Sequence, residues 1–307
     1  MNEPLIELVE ATKIFRARRG AVRALDQVSF TVREGDVFGL LGANGAGKTT
    51  ALRCILNLTR LNAGRLLVLG RERPDRRTLF ARAAYLPEEP QFFQGATGRE
   101  HLAYFGRLCG LRGPELRGRV AEVLRLVGLE SSADRPIATY SKGMKQRAGI
   151  AGAILHRPKL FFLDEPTRGL DPIGRREIRD LLQKLAADGV TLFLNSHLLG
   201  EVERLCNRIA ILDKGRLRAE GLLADLLTKT ELIDVRFSLP ESVPPAAFPE
   251  AERAPGGLWK EAVPDTAALA ALAGRIAAAG GRVVSAQAAR VELEDYFIRV
   301  VREGEPA

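Results

Sequence analysis

The sequence predicts an α/β fold built on a largely parallel sheet, with a helical insertion and a small α/β appendage towards the C-terminal end. Three observations carry this expectation. Val37–Leu41 is a continuous apolar run that leads through a glycine-rich turn into a helical stretch from Lys48 to about Leu58. Three further short apolar runs follow, Leu160–Leu163, Val190–Leu194 and Ile209–Leu212, with a charged amphipathic helix at Gly174–Ala187 between the first two. Apolar strands alternating with helices are the pattern of a parallel sheet covered on both faces. Finally, residues from about 97 to 155 repeat their apolar positions at helical spacing.

Taken in chain order, Ile6-Glu7-Leu8 and Val28–Val32 alternate apolar and polar residues, as half-buried strands do. Val37–Leu41 lacks that alternation and reads as a strand buried on both faces. In the insertion, Leu102, Phe105 and Leu108, then Val120, Val123, Leu124 and Val127, mark helix faces. Gly110–Pro114 and Ala133–Pro136 punctuate them. From about Ala224 charges thin out while Ala, Pro and Gly rise, and Pro240–Pro255 holds five prolines in sixteen residues, a loop composition. Around it, strands at Leu232–Leu239 and Arg282–Ser285 and helices at Ala267–Ala279 and Glu292–Val301 are expected. The predicted division is a main domain over 6–230 and an accessory domain over 231–307.

Composition excludes several classes. Met1–Glu10 carries acids where a secretory leader is basic, and no apolar run approaches the ~20 residues of a membrane helix. Cys54, Cys109 and Cys206 are far apart with no CxxC pair, so they read as buried thiols rather than a disulfide or zinc framework. The three histidines, His101, His156 and His197, are too dispersed for a metal cluster. Met1–Leu223 has 37 basic against 25 acidic residues, a net of +12, whereas Ala224–Ala307 has 9 against 13, a net of −4. A basic main segment suits polyphosphate, anionic lipid or nucleic acid.

Chemistry is concentrated in three motifs. Gly42-Ala43-Asn44-Gly45-Ala46-Gly47-Lys48-Thr49 has the form G-x-x-x-x-G-K-[ST] between a strand and a helix. Its glycines allow backbone amides to turn inward around phosphate oxygens; Lys48 would neutralise the β/γ charge and Thr49 would offer a hydroxyl to Mg²⁺. Thr50 adjoins this set. Leu160–Leu163 ends in Asp164-Glu165, where ligands gather outside the carboxyl ends of parallel strands. Asp164 is placed to hold Mg²⁺, and Glu165 to orient and deprotonate a water. Ser141 stands where an N-cap belongs, ahead of the apolar run Ala148–Leu155, and such helix starts bind anions.

On these residues, the chain from about Ile6 to Leu223 resembles the ATP-binding subunits of ABC transporters. Tyr140-Ser141-Lys142-Gly143-Met144 matches the family's L-S-G-G-Q signature at Ser141 and Gly143, in a version similar to that of multidrug and sodium exporter subunits. The resemblance implies that Phe15 stacks on adenine, that Gly169-Leu170-Asp171 contacts an opposite subunit, and that His197 senses the γ-phosphate. Glu88, in Tyr85-Leu-Pro-Glu88, stands where the family usually has a Mg²⁺-ligating glutamine, and a carboxylate also ligates Mg²⁺. Val291–Arg299 is similar to an L-E-D-x-F-L segment of such exporters, with Leu293, Phe297 and Val300 on one helix face.

The resemblance further implies the P-loop NTPase cassette fold, with N-terminal antiparallel strands, and ATP hydrolysis with ATP and Mg²⁺ as cofactors. Two copies would pair head to tail, each lending Ser141 and Gly143 to the other's Gly42–Thr49. Integral membrane permease subunits at the cytoplasmic face would be the partners, and export the direction. The alternative is a soluble ABC ATPase acting on nucleic acid or the ribosome. Against it stand a single cassette and no coiled-coil insertion, so no nucleic-acid partner is expected.

Overall fold

The structure, a computed structural model, describes residues 3–17 and 20–303. Two compact units are distinct: one runs to Leu223 and is completed by the stretch from Val300, and the other is Ala224–Arg299. The expected division at 230/231 therefore moves to 223/224. The reason is the strand Thr228–Ser238, whose pairing within the second unit already begins at Thr228↔Arg290.

In the first unit β1 (Pro4–Ala17) and β2 (Gly20–Arg33) form a long antiparallel pair. The alternation read in the sequence buries Ile6, Leu8, Val28, Phe30 and Val32, while Glu7, Ser29 and Thr31 stay more accessible. Next, β3 (Val37–Leu41) is buried at every residue. Helix α1 (Lys48–Ile55) stops short of Leu58 because Asn57 takes a positive φ of 53°. Strands β4 (Ala63–Val68) and β5 (Arg71–Glu72) complete an antiparallel sheet in the order β2-β1-β4-β5.

Helix α2 (Arg76–Phe80) and strand β6 (Ala83–Leu86) lead into the insertion. There α3 (Gly98–Leu108), α4 (Gly113–Leu126) and α5 (Lys142–Ala153) form. Thr97 and Glu100 close a capping box on α3, so the start of the insertion is fixed by local sequence. After it come β7 (Leu160–Asp164), α6 (Pro172–Ala187), β8 (Thr191–Asn195), α7 (Leu199–Leu205), β9 (Arg208–Asp213) and β10 (Arg216–Leu222). The second sheet has the order β10-β9-β3-β8-β7-β6 and is parallel except at β10. From its central strands, Phe38 stacks on Phe193 and Phe162 packs tilted against Phe193 in the core. Register then decides the site: Asn195 lies beside both Leu40 and Asp164, so the ends of β3, β7 and β8 open side by side.

The second unit contains α8 (Leu223–Leu227) from Ala224 on, then β11 (Thr228–Ser238), β12 (Glu252–Ala254), β13 (Leu258–Val263), α9 (Thr266–Ala278) and β14 (Arg282–Arg290). Its antiparallel sheet has the order β12-β13-β11-β14. Val235, Phe237, Phe248, Trp259, Val263, Leu272 and Ile276 form its core. The proline-rich stretch is less of a bare loop than its composition implies, since it contributes β12 and buries Phe248 with its ring centroid 5.4 Å from Phe237. Helix α10 (Leu293–Glu303) closes the described chain. Cys54 and Cys206 are buried as expected, but Cys109, at the C-terminal end of α3, is exposed.

Candidate active site

The turn leaving β3 depends on glycine. Gly42, Gly45 and Gly47 have φ of 154°, 84° and 107°. A Cβ on Gly42 would lie 2.4 Å from the Leu212 carbonyl oxygen, and one on Gly47 would lie 2.5 Å from that of Ala24. Gly47 is also the N-cap of α1 and supplies no capping side chain, so the helix presents its first amides, and the positive end of its dipole, to the loop. Ala46 is buried beneath the turn, while Ala43, Asn44 and Thr49 face outward.

Lys48 is the buried cation of the loop. Its Nζ donates to the carbonyl oxygens of Gly42 at 2.6 Å and Ala43 at 3.1 Å. Burial pushes its ammonium below the ordinary lysine range, and the carboxylates of Glu165 and Asp164 pull in the opposite direction. A desolvated ammonium hydrogen-bonded to two carbonyls can exchange them for phosphate oxygens, which offer full charge. A cleft over the loop is lined by Ala43–Thr50 and by Val22, Arg23, Ala24 and Lys214. Sequence reasoning missed these last four, since no motif marks them. Phe15 is 42 % exposed, lies opposite Val22 in the β1–β2 register and has Lys13 Nζ 4.9 Å from its ring centroid. The hairpin thus carries the aromatic predicted for adenine to the strand that borders the cleft.

Asp164 and Glu165 end β7 with different surroundings. Asn195 Nδ2 donates to Asp164 Oδ1 at 2.6 Å, and the Tyr85 hydroxyl donates to Oδ2 at 3.4 Å. Burial, with the Asp164 charge beside it, pushes the Tyr85 phenol up to about 12, so it stays a donor. Glu165 turns the chain with a positive φ of 49°, and its amide donates to the Asn195 carbonyl at 2.9 Å. Its buried carboxylate accepts from the His197 amide at 3.0 Å, has His197 Nδ1 at 2.6 Å, and accepts from the Ser196 hydroxyl at 3.2 Å. Tyr85, Asn195 and Ser196 are partners of these carboxylates that no motif marks. Their proximity comes from the register of β7 on β8 and β6, which sequence does not state.

The remaining predicted residues make contacts of their own. Glu88 accepts a hydrogen bond from Arg168 Nη1. Ser141 is the N-cap of α5, accepting from the Met144 amide at 3.2 Å, and a Cβ on Gly143 would meet no atom within 4 Å. Neither Ser141 nor Gly143 is among the residues lining the cleft. Asp171 caps α6, its Oδ1 accepting from the Gly174 amide at 2.9 Å.

The family model described as "ABC transporter" matches residues 25–168. An ABC transporter ATP-binding protein of Synechocystis, itself uncharacterized, is 38 % identical over 304 residues, covering 97 % of this chain and 85 % of the relative. The chain belongs to the ABC transporter ATP-binding proteins. Another such protein, the Nod factor export ATP-binding protein I of Sinorhizobium fredii, is 38 % identical over 256 residues, 82 % of this chain and 74 % of its own. In structure, an ATP-binding cassette solved as a post-hydrolysis dimer with ADP and Pi superposes with a TM-score of 0.64 at 25 % identity, covering 71 % of this chain and 98 % of that one. The ABC subunit described here is accordingly an ATP-binding ATPase of the P-loop cassette fold. Among its described residues no helix is long and apolar enough to cross a membrane.

Proposed function

We propose that this ABC subunit hydrolyses Mg²⁺-ATP at Gly42–Thr49 and drives export through separate integral membrane permease subunits. The observation that carries the hydrolytic part is the buried Glu165 carboxylate at the C-terminal end of β7, held by the His197 amide at 3.0 Å and the Ser196 hydroxyl at 3.2 Å. Loop amides and Lys48 bind the phosphates. Glu165, held by His197 and Ser196, orients a water and takes its proton as the water oxygen bonds to the γ-phosphorus and the bond to the ADP oxygen breaks. His197, whose side chain is 46 % exposed, keeps Glu165 aimed and would sense the γ-phosphate.

The donor set at this position fits a hard cation. Thr49 is an exposed hydroxyl, the Asp164 carboxylate is fixed by Asn195 and Tyr85, and the buried Asn195 Oδ1 has no hydrogen-bond partner among the described residues. Thr49 and Asp164, joined by Glu88, would hold Mg²⁺, which would draw charge from the phosphate oxygens.

Ser141 and Gly143 are open to a second copy, which supports head-to-tail pairing of two chains around two nucleotides, as does the dimeric state of the matched cassette. The export direction is supported by the Nod factor relative. The location proposed is the cytoplasmic face of the membrane, with residues around Glu88 meeting the permease and the C-terminal unit serving as an accessory domain. Affinity capture of the tagged chain from detergent-solubilised membranes tests the assignment. A co-purifying polytopic membrane protein is expected; recovery of RNA or ribosomes instead would overturn it.

A further inference from the structure

Glu88 bears a charge where the usual glutamine is neutral, and the structure gives that charge a partner. Arg168 Nη1 donates to Glu88 Oε1 across two separate loops, one following β6 and the other following Glu165. Arg168 is itself set from the catalytic side, since its amide donates to the Glu165 carbonyl at 3.1 Å. Among the described residues Glu89 has no such ion pair, and no other carboxylate pairs with Arg168. The contact is therefore particular to the residue that replaces glutamine.

A carboxylate oxygen that accepts from a guanidinium is not available to a cation, and bringing a divalent ion to it means breaking the pair. We propose that Arg168 is a positioning residue that holds Glu88 off the metal, so that Glu88 engages Mg²⁺ only as this ion pair opens. The inference rests on Glu88 being a Mg²⁺ donor. It makes the loop proposed to face the permease and the turn behind Glu165 two ends of one electrostatic contact. Loss of the contact on nucleotide loading would free both together. Both side chains are substantially exposed, at 56 % and 38 %, so the pair is weak enough to open within a working cycle.

The test uses the full chain and a fluorescent non-hydrolysable ATP analogue, with binding followed as MgCl₂ is raised. R168A is expected to lower the half-saturating Mg²⁺ by about two- to five-fold, the range of an exposed ion pair. R168K should stay near the wild type. In an E88Q background the same Arg168→Ala change should do nothing. An unchanged Mg²⁺ dependence in R168A, or a shift that persists beside E88Q, would overturn the inference. Asp164→Asn separates the two levels: if it weakens Mg²⁺ dependence while R168A is silent, only the role of Arg168 falls. If Asp164→Asn and E88Q are both silent, the metal assignment and this inference fall together.

Discussion

His197 Nδ1 lies 2.6 Å from Glu165 Oε1, an oxygen that also accepts the His197 amide at 3.0 Å. One residue therefore grips the carboxylate twice, and Ser196 holds its other oxygen at 3.2 Å. A base fixed from both oxygens cannot swing between rotamers, which keeps it in the geometry that proton abstraction requires.

That arrangement predicts unequal losses. Glu165→Gln should cut turnover by at least about 10²-fold, because the amide cannot accept the water's proton. Equilibrium ATP binding should hold. His197→Ala should also slow turnover, by roughly 10-fold or more, through loss of orientation. Steady-state phosphate release checks both, and retained turnover in Glu165→Gln rejects it as the base.

Lys48→Ala removes the cation that would face the phosphates. Fluorescent-ATP titration should show affinity falling at least about 10-fold, the weight of a charge-assisted contact to phosphate. Unchanged affinity would remove the loop assignment.

Backbone shape is testable separately from charge. Gly47→Ala forces a Cβ to 2.5 Å from the Ala24 carbonyl oxygen at a φ of 107°. Thermal unfolding should reveal destabilisation of about 1–3 kcal/mol, with ATP binding impaired. Gly45→Ala, which meets no atom within 4 Å at a φ of 84°, should cost only the backbone strain, about 1 kcal/mol.

Thiol chemistry should divide the cysteines. Burial pushes Cys54 up to about 11 and raises Cys206 as well, whereas Cys109, although also raised, is exposed. A thiol-reactive disulfide reagent at pH 8 should label one cysteine in the folded chain, slowly, and three after denaturation. Fast labelling of more than one native thiol would contradict the burial pattern.

Much of this architecture was legible because it is written in periodicity and local capping. Val37–Leu41, Leu160–Leu163 and Ile209–Leu212 are continuous apolar runs that can only be interior strands, and each became one. Gly42–Thr49 and Asp164-Glu165 announce themselves by spacing. What escaped was set by pairing at a distance. Strands β5, β10 and β13 are short, charged or half-exposed, and they exist because of their neighbours. Asn195 became an Asp164 partner through strand register, and Arg168 a Glu88 partner through the meeting of two loops. Neither relation leaves a trace in the order of residues.

Ser141 stands outside the cleft that holds Lys48, on the face proposed to meet another copy. On that reading the subunit is an enzyme whose rate per molecule depends on how many of its own kind are nearby. Diluted, it idles. A permease that seats two copies would raise their local concentration to the order of millimolar without any activator. Assembly would then be the on-switch, and stray subunits would not waste ATP.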